Sequence, residues 1–276
     1  MRRKYGIVIV IFVSMLLLAG CGKDETSDEQ KIGDAINGEY ADYFNISAAF
    51  AADDASLMRV ASPTEYDSVY DWRYPPGGRS ISRDFSVSVS GDVATITINR
   101  TLSATAIFRC WEGESLVSYN RALTACGART ARFVRDGDGN WHLDAISPIQ
   151  MTTTPSTVDI DSIVATNLTS GERFIISDPT HLYPLDSIFT IAPEDMVDVF
   201  AYTGSDAAII FRHPRHATYE RAFMMGQGEQ TYRYQIRTDA TTGVRHFIVD
   251  AVTIASAIDS SIAHDGEIWA MCFRVE

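Results

Sequence analysis

The order of apolar and polar residues along the chain changes character several times. Residues 6–18 (GIVIVIFVSMLLL) form an almost unbroken apolar run. The run has the length of an export-signal core and falls short of the ~18–20 residues that span a bilayer. Residues 22–30 (GKDETSDEQ) are polar and acidic with nothing to bury, which predicts a flexible tether. From Lys31 the spacing becomes helical. Ile32, Ile36, Tyr40, Tyr43 and Phe44 form one apolar stripe, and the predicted helix can continue through Phe50. Asp53-Asp54 offers an N-cap for a short second helix over 55–61, which Pro63 would stop. The aromatic residues Tyr66, Tyr70, Trp72 and Tyr74 read as core or pocket wall.

After the turn at Pro75-Pro76-Gly77-Gly78 the period drops to two. Phe85, Val87 and Val89 alternate with serines, and Gly91-Asp92 is a tight turn. Residues 93–108 then keep strand alternation for about three times a typical strand length. Ala94, Ile96, Ile98, Leu102, Ala104, Ala106 and Phe108 share one face, with Arg100 in phase among them. A strand that long must twist or bend to stay in a compact body. Cys110 to Cys126 is expected to bracket a loop, and 128–135 to be another strand. Asp136 to Asn140 turns into a last strand, 141–147.

Residues 151–157, within the Thr- and Pro-rich stretch QMTTTPST, are expected to link two domains, 31–150 and 158–276. Beyond them helical spacing is absent and turn signals recur every eight to twelve residues or so. The runs between them, 158–166, 173–176, 188–191, 196–202, 207–212, 231–237, 244–255 and 267–275, read as about eight short strands. They predict an all-β sandwich that resembles immunoglobulin-like modules in spacing only, since the Cys…Trp…Cys signature is missing.

Composition narrows the function classes. The formal charge is −13, and removal of the first 20 residues, which carry Arg2, Arg3, Lys4 and no acid, takes it to −16. Such acidity argues against nucleic acid as a partner and against adsorption to anionic lipid beyond an anchor.

The basic trio precedes the apolar run, and Leu18-Ala19-Gly20-Cys21 closes it. This order resembles the lipobox of bacterial lipoproteins. It implies a signal peptide over residues 1–20, lipidation (palmitate) at Cys21, and a lipidated tether at 21–30. Each buried methylene contributes about 0.8 kcal/mol, so several acyl chains would hold the protein durably on a membrane. The alternative is an uncleaved N-terminal anchor. Gly22 lacks the aspartate that favours inner-membrane retention in enteric lipoproteins, so the outer membrane is favoured where the cell has one.

Two helices followed by a long curved meander resemble the nuclear-transport-factor-2-like, cone-shaped α+β family. The residues that carry this are Ala51-Ala52-Asp53-Asp54-Ala55-Ser56-Leu57 and the terminal hairpin 133–143 (FVRDGDGNWHL). The resemblance covers about residues 30–150. It implies a conical pocket between sheet and helices, in a family that includes isomerases, dehydratases and binding modules. The expected architecture is therefore an α+β cone-like domain followed by an all-β immunoglobulin-like sandwich.

Candidate chemistry is sparse. Asp136 to Asn140 begins like a calcium loop, yet Trp141 stands where the turn glycine belongs and Ser147 where the bidentate Glu belongs, so a plain hairpin turn is preferred. His213-Pro214-Arg215-His216, beside Arg212 and Arg221, is a local basic patch that reads as a solvated strand-end loop. No metal or cofactor is expected. With Cys21 committed to lipid, Cys110 and Cys126 are expected to form a disulfide, and Cys272 to be a buried free thiol. Arg100 and Phe108 are the ligand-contact candidates. A buried guanidinium needs an acid, such as Asp42 on the first helix, or a ligand anion, unless a bulge turns it to solvent. Asp42 and Tyr43 are the one acid and hydroxyl pair that a catalytic reading would use. The expected function is that of a membrane-anchored envelope lipoprotein acting as a non-catalytic module for a small ligand or an envelope protein. A cone-pocket isomerase or dehydratase using general acid–base chemistry is the alternative.

Overall fold

A computed structural model describes residues 26–46, 50, 69–215 and 218–276. Cys21 with its lipobox, Asp53-Asp54, the helix expected at 55–61, and His216 lie outside the described residues.

Strands make up 61% of the described residues and helix 11%, which overturns the expected α+β cone. The first half contributes α1 (Asp28–Asn37), α2 (Ala41–Phe44), β1 (Val69–Arg73), β2 (Arg79–Ser90), β3 (Val93–Glu112), β4 (Ser115–Arg135), β5 (Trp141–Ile146) and β6 (Ile149–Thr153). The second half contributes β7 (Ile160–Asn167), β8 (Arg173–Ile176), β9 (Tyr183–Pro184), β10 (Thr190–Ile191), β11 (Met196–Thr203), β12 (Ala207–Arg215), β13 (Thr218–Phe223), β14 (Met225–Gly228), β15 (Thr231–Arg237), β16 (Gly243–Thr253), α3 (Ile254–Ile258) and β17 (Gly266–Val275).

Helix α1 begins inside the segment read as a tether. Ser27 caps it, its hydroxyl accepting from Gln30 N at 3.3 Å, and Ser27-x-x-Gln30 has the spacing of a capping box. Asp28 fixes this end to the sheet, accepting from Trp141 Nε1 at 3.1 Å and Arg135 Nη2 at 2.6 Å. Ile32 and Ile36 are buried beneath it.

The expected loop between Cys110 and Cys126 is not a loop. β3 and β4 form one hairpin whose ladder runs without a break from Val93 opposite Val134 to Glu112 opposite Ser115. Cys110 faces Val117 near the turn, whereas Cys126 faces Thr101 far down the ladder. At about 3.3 Å per residue the two lie on the order of 25–30 Å apart, well beyond the ~7 Å Cα limit for a bridge. Cys110, Cys126 and Cys272 are all free thiols, Cys110 and Cys272 buried and Cys126 exposed. The disulfide expectation is therefore corrected.

The expected linker is also structured in part. β6 lies between β4 and β17, so strands from both halves share one twelve-stranded sheet ordered β1-β3-β4-β6-β17-β16-β12-β13. β2 extends it beyond β3, and β5, β9 and β10 attach at its flanks. All pairs are antiparallel except β10 with β17. Ile149 and Met151 of β6 are buried, Gln150 and Thr152 less so, which is the two-residue alternation of a half-covered strand. A second sheet, β14-β15-β11-β7-β8, stacks on the first and supplies the sandwich expected from the short runs of the second half.

Two hydrophobic cores result. One lies between the five-stranded sheet and β12, β16 and β17, and reaches under α1 and α2 to Ala94, Ile96 and Ile98 of β3. The other lies on the opposite face of β16 and takes Leu102 to Cys110 of β3, together with Val69, Trp72 and Ala257. β16 is buried on both faces: Phe247 and Val249 enter the first core, Ile248 and Val252 the second. That explains its near-continuous apolar run. β3 crosses from one core to the other at Arg100.

Gly127 faces Arg100 at this crossing. β4 changes partner here, pairing residues 125–128 with β6 and residues 131–135 with β5. A Cβ on Gly127 would stand 1.8 Å from the carbonyl oxygen of Gln150. Gly127→Ala must therefore push β6 off β4. The expected cost is at least ~2 kcal/mol, a fall in Tm of at least roughly 5 °C. Thermal unfolding checks this, and a variant as stable as the parent contradicts the close approach.

Candidate functional site

α1 and α2 cover the face of β2 and β3 where the two cores meet, and leave a cleft of about 310 Å³. Its lining is Ile36, Asn37, Ala41 and Asn45 from the helical side and Ile81, Arg83 and Arg100 from the sheet. Strand alternation puts Arg100 here as expected. It is 3% exposed and flanked along β3 by buried Ile98 and Leu102. Arg83 stands directly opposite it on β2. Arg129, in phase on β4, completes a diagonal of three guanidiniums on one face.

The hydrogen bonds of these cations go to neutral groups. Arg83 Nη2 donates to Asn37 Oδ1 at 2.6 Å, and Asn37 Nδ2 donates to the Gly33 carbonyl at 2.8 Å. Arg100 Nη2 donates to the Phe44 carbonyl at 2.5 Å. Arg129 Nη1 donates to the Tyr43 carbonyl, from which His246 Nε2 lies 3.2 Å. Tyr43 and Phe44 end α2, where carbonyls lack intrahelical partners and cations are favoured. These bonds leave Arg100 Nε, and Arg129 Nε and Nη2, buried without a partner. Among the described residues no carboxylate lies within ion-pair distance of Arg83, Arg100 or Arg129. Like charges opposed across a strand pair are unfavourable, so among the described residues this face carries uncompensated positive charge.

The charge shows in the titration of the groups involved. Burial, then the charges of Arg129 and Arg83, pulls the Arg100 guanidinium down to about 9, so it remains a cation at neutral pH. Burial lowers Arg129 as well. Burial, then the Arg129 charge, pulls His246 down to about 3. Burial also lowers His264, to about 4.

The other sequence candidates do not join this cleft. Asp42 is exposed on α2 and is not the partner of Arg100. The Tyr43 hydroxyl accepts from Arg274 Nε at 3.2 Å, so the pair does not converge on one pocket. Phe108 lies in the second core, stacked on Trp72 at 5.8 Å. The Asp136 turn uses its own carboxylate: Oδ1 accepts from Asp138 N at 2.9 Å and Asn140 N at 2.8 Å, and Oδ2 meets His142 Nε2 at 2.8 Å. The basic patch around His213 is not a solvated loop. His213 is buried in β12, 5.6 Å from the rings of Phe211 and Tyr234. Arg212 is paired with Asp250 at 2.8 Å, and Arg221 with Asp71 at 3.2 Å.

Arg83 and Arg129 had readable signals. Arg83 is in phase with Ile81 and Phe85, and Arg129 with Ala125, Ala131 and Phe133, once 115–127 is recognised as strand. His246 had none, because β16 is apolar on both sides. No protein-family model, no curated protein and no solved structure matches this chain.

The buried histidines predict a pH dependence. Unfolded histidine titrates near ~6.5. Below that pH the unfolded chain takes up protons that the folded chain refuses, until about 4 for His264 and about 3 for His246. Their contribution is therefore complete above ~6.5 and lost as pH falls through that window. Between pH 7 and pH 5, above the ordinary carboxylate range, stability should drop by on the order of 1–2 kcal/mol per histidine. Denaturant titrations across this range check it, with His246→Gln expected to flatten the slope. A flat profile in the parent contradicts it.

Proposed function

We propose that this chain is a lipid-anchored envelope protein that acts as a non-catalytic binding module, presenting the Arg83–Arg100 cleft to a small anionic ligand. The anchor follows from Leu18-Ala19-Gly20-Cys21 after a short apolar run. Its placement on an outer membrane, where the cell has one, follows from Gly22. The binding reading is carried by one observation: a 3%-exposed arginine lines an open cleft, faces a second arginine, and among the described residues has no acid beside it. An uncompensated buried charge is costly, and an anion that enters offsets that cost. The acid–base alternative lacks such support, since Asp42 and the Tyr43 hydroxyl point to different surroundings.

Attachment is tested at Cys21. Cys21→Ser should accumulate as unprocessed precursor and incorporate no labelled palmitate. Equal labelling of variant and parent refutes the anchor.

Binding is tested by thermal shift with acetate, sulfate and phosphate against neutral analogues. Anions should raise the Tm of the parent by a few degrees and leave Arg100→Met unmoved. If none shifts the parent relative to sodium chloride at equal ionic strength, the binding reading fails.

A further inference from the structure

The lining of the cleft narrows its ligand. We infer that the Arg83–Arg100 cleft takes a small monocarboxylate with a short hydrocarbon body. Its carboxylate lies between the two guanidiniums and its chain lies against Ile36, Ala41 and Ile81. The inference rests on the anion-binding reading and adds a chemical class to it.

Four observations converge on that class. Arg83 and Arg100 are direct cross-strand partners, a relation that holds Cβ atoms about 5 Å apart, so one anion can meet both. Guanidinium is a planar donor fork that matches the two oxygens of a carboxylate. One donor of each fork is already engaged, Arg83 Nη2 by Asn37 and Arg100 Nη2 by Phe44. The remainder suits two acceptor oxygens better than the three of a phosphate.

The remaining lining is mixed: Ile36, Ala41 and Ile81 stand beside the amides of Asn37 and Asn45. Ile36 is buried in the first core and Ile81 packs against the second, and the Asn37 amide is already bonded to Arg83 and Gly33, so hydrocarbon is on offer beside the two guanidiniums. A volume of about 310 Å³ lies at the small end of ligand sites, which excludes nucleotides and oligosaccharides. The formal charge of −13 surrounds this cationic spot with a field that opposes polyanions and penalises a single negative charge least.

The test is calorimetric titration of the full lipid-anchored protein in neutral detergent, at fixed ionic strength. The probes are pentanoate, glutarate, inorganic phosphate and pentan-1-ol. Arg83→Gln is the variant, because Arg83 is exposed and its loss should not prevent folding. Pentanoate is expected to bind at least tenfold tighter than the other three, and Arg83→Gln to weaken it at least fivefold. Phosphate or glutarate binding as tightly as pentanoate, with the same loss in Arg83→Gln, overturns the monocarboxylate class but leaves the cleft an anion site. Pentan-1-ol matching pentanoate, pentanoate affinity unchanged in Arg83→Gln, or no binding by any anion overturns the class and the anion-binding reading together.

Discussion

The uninterrupted β3–β4 ladder is the constraint on which the other elements depend. Its backbone bonds hold residues 93–112 and 115–135 in a single register. Two separate hydrophobic cores must therefore share one continuous inner face. The first core takes Ala94 to Ile98 with Ala131 and Phe133, and the second takes Leu102 to Cys110 with Leu123 and Ala125. Between them the hairpin crosses a seam, and the inward positions there are Arg100, Gly127 and Arg129. Gly127 lets β6 approach closely enough to carry the sheet onward to β17. A residue with a side chain at that point would separate the halves of the sheet.

The protein buries its arginines in two different ways. In the second core Arg109, Arg212 and Arg221 have acids, while Arg121 donates to the carbonyls of Ile262 and Ala257. Asp250 Oδ2 accepts from Arg212 at 2.8 Å, from the Tyr74 hydroxyl at 3.0 Å and from Trp72 Nε1 at 3.4 Å. Asp71 joins Arg109 at 2.6 Å and Arg221 at 3.2 Å. These pairs tie β1 to β3, β12, β13 and β16, and breaking one would leave a buried charge uncompensated. At the seam, Arg100 and Arg129 have carbonyls from α2 instead. Carbonyls satisfy individual N–H groups but do not cancel a full positive charge.

The cleft therefore follows from the topology. α1 and α2 fill the near end of the first core, the second core begins beyond Arg100, and the edge strand β2 brings Arg83 alongside. The cleft and the boundary between the cores are the same place, so elements of both line it. Ile36 belongs to one core and Ile81 packs on the other.

The sequence by itself determined what local periodicity controls. It placed α1 near residue 31, β8 at 173–176, β15 at 231–237, the turn at Gly91-Asp92, and Arg100 on the inner face of a long strand. It also contained the Ser27-Gln30 cap and the alternation of β4 and β6. Weak turn and linker signals, Gly113-Glu114 and the Thr/Pro run, hid these two strands. Only the tertiary structure decided which strands pair across more than a hundred residues, as β6 does with β17. β6 joined to β17 turned an expected cone and a separate sandwich into one curled sheet with a second sheet stacked on it. Period two assigns a residue to a face but cannot say what covers that face. The same alternation that buried Arg100 buried Phe108 in a different core, and among the described residues Arg212 has an acid and Arg100 none. Those outcomes depend on contacts between residues distant in sequence, which no local pattern encodes.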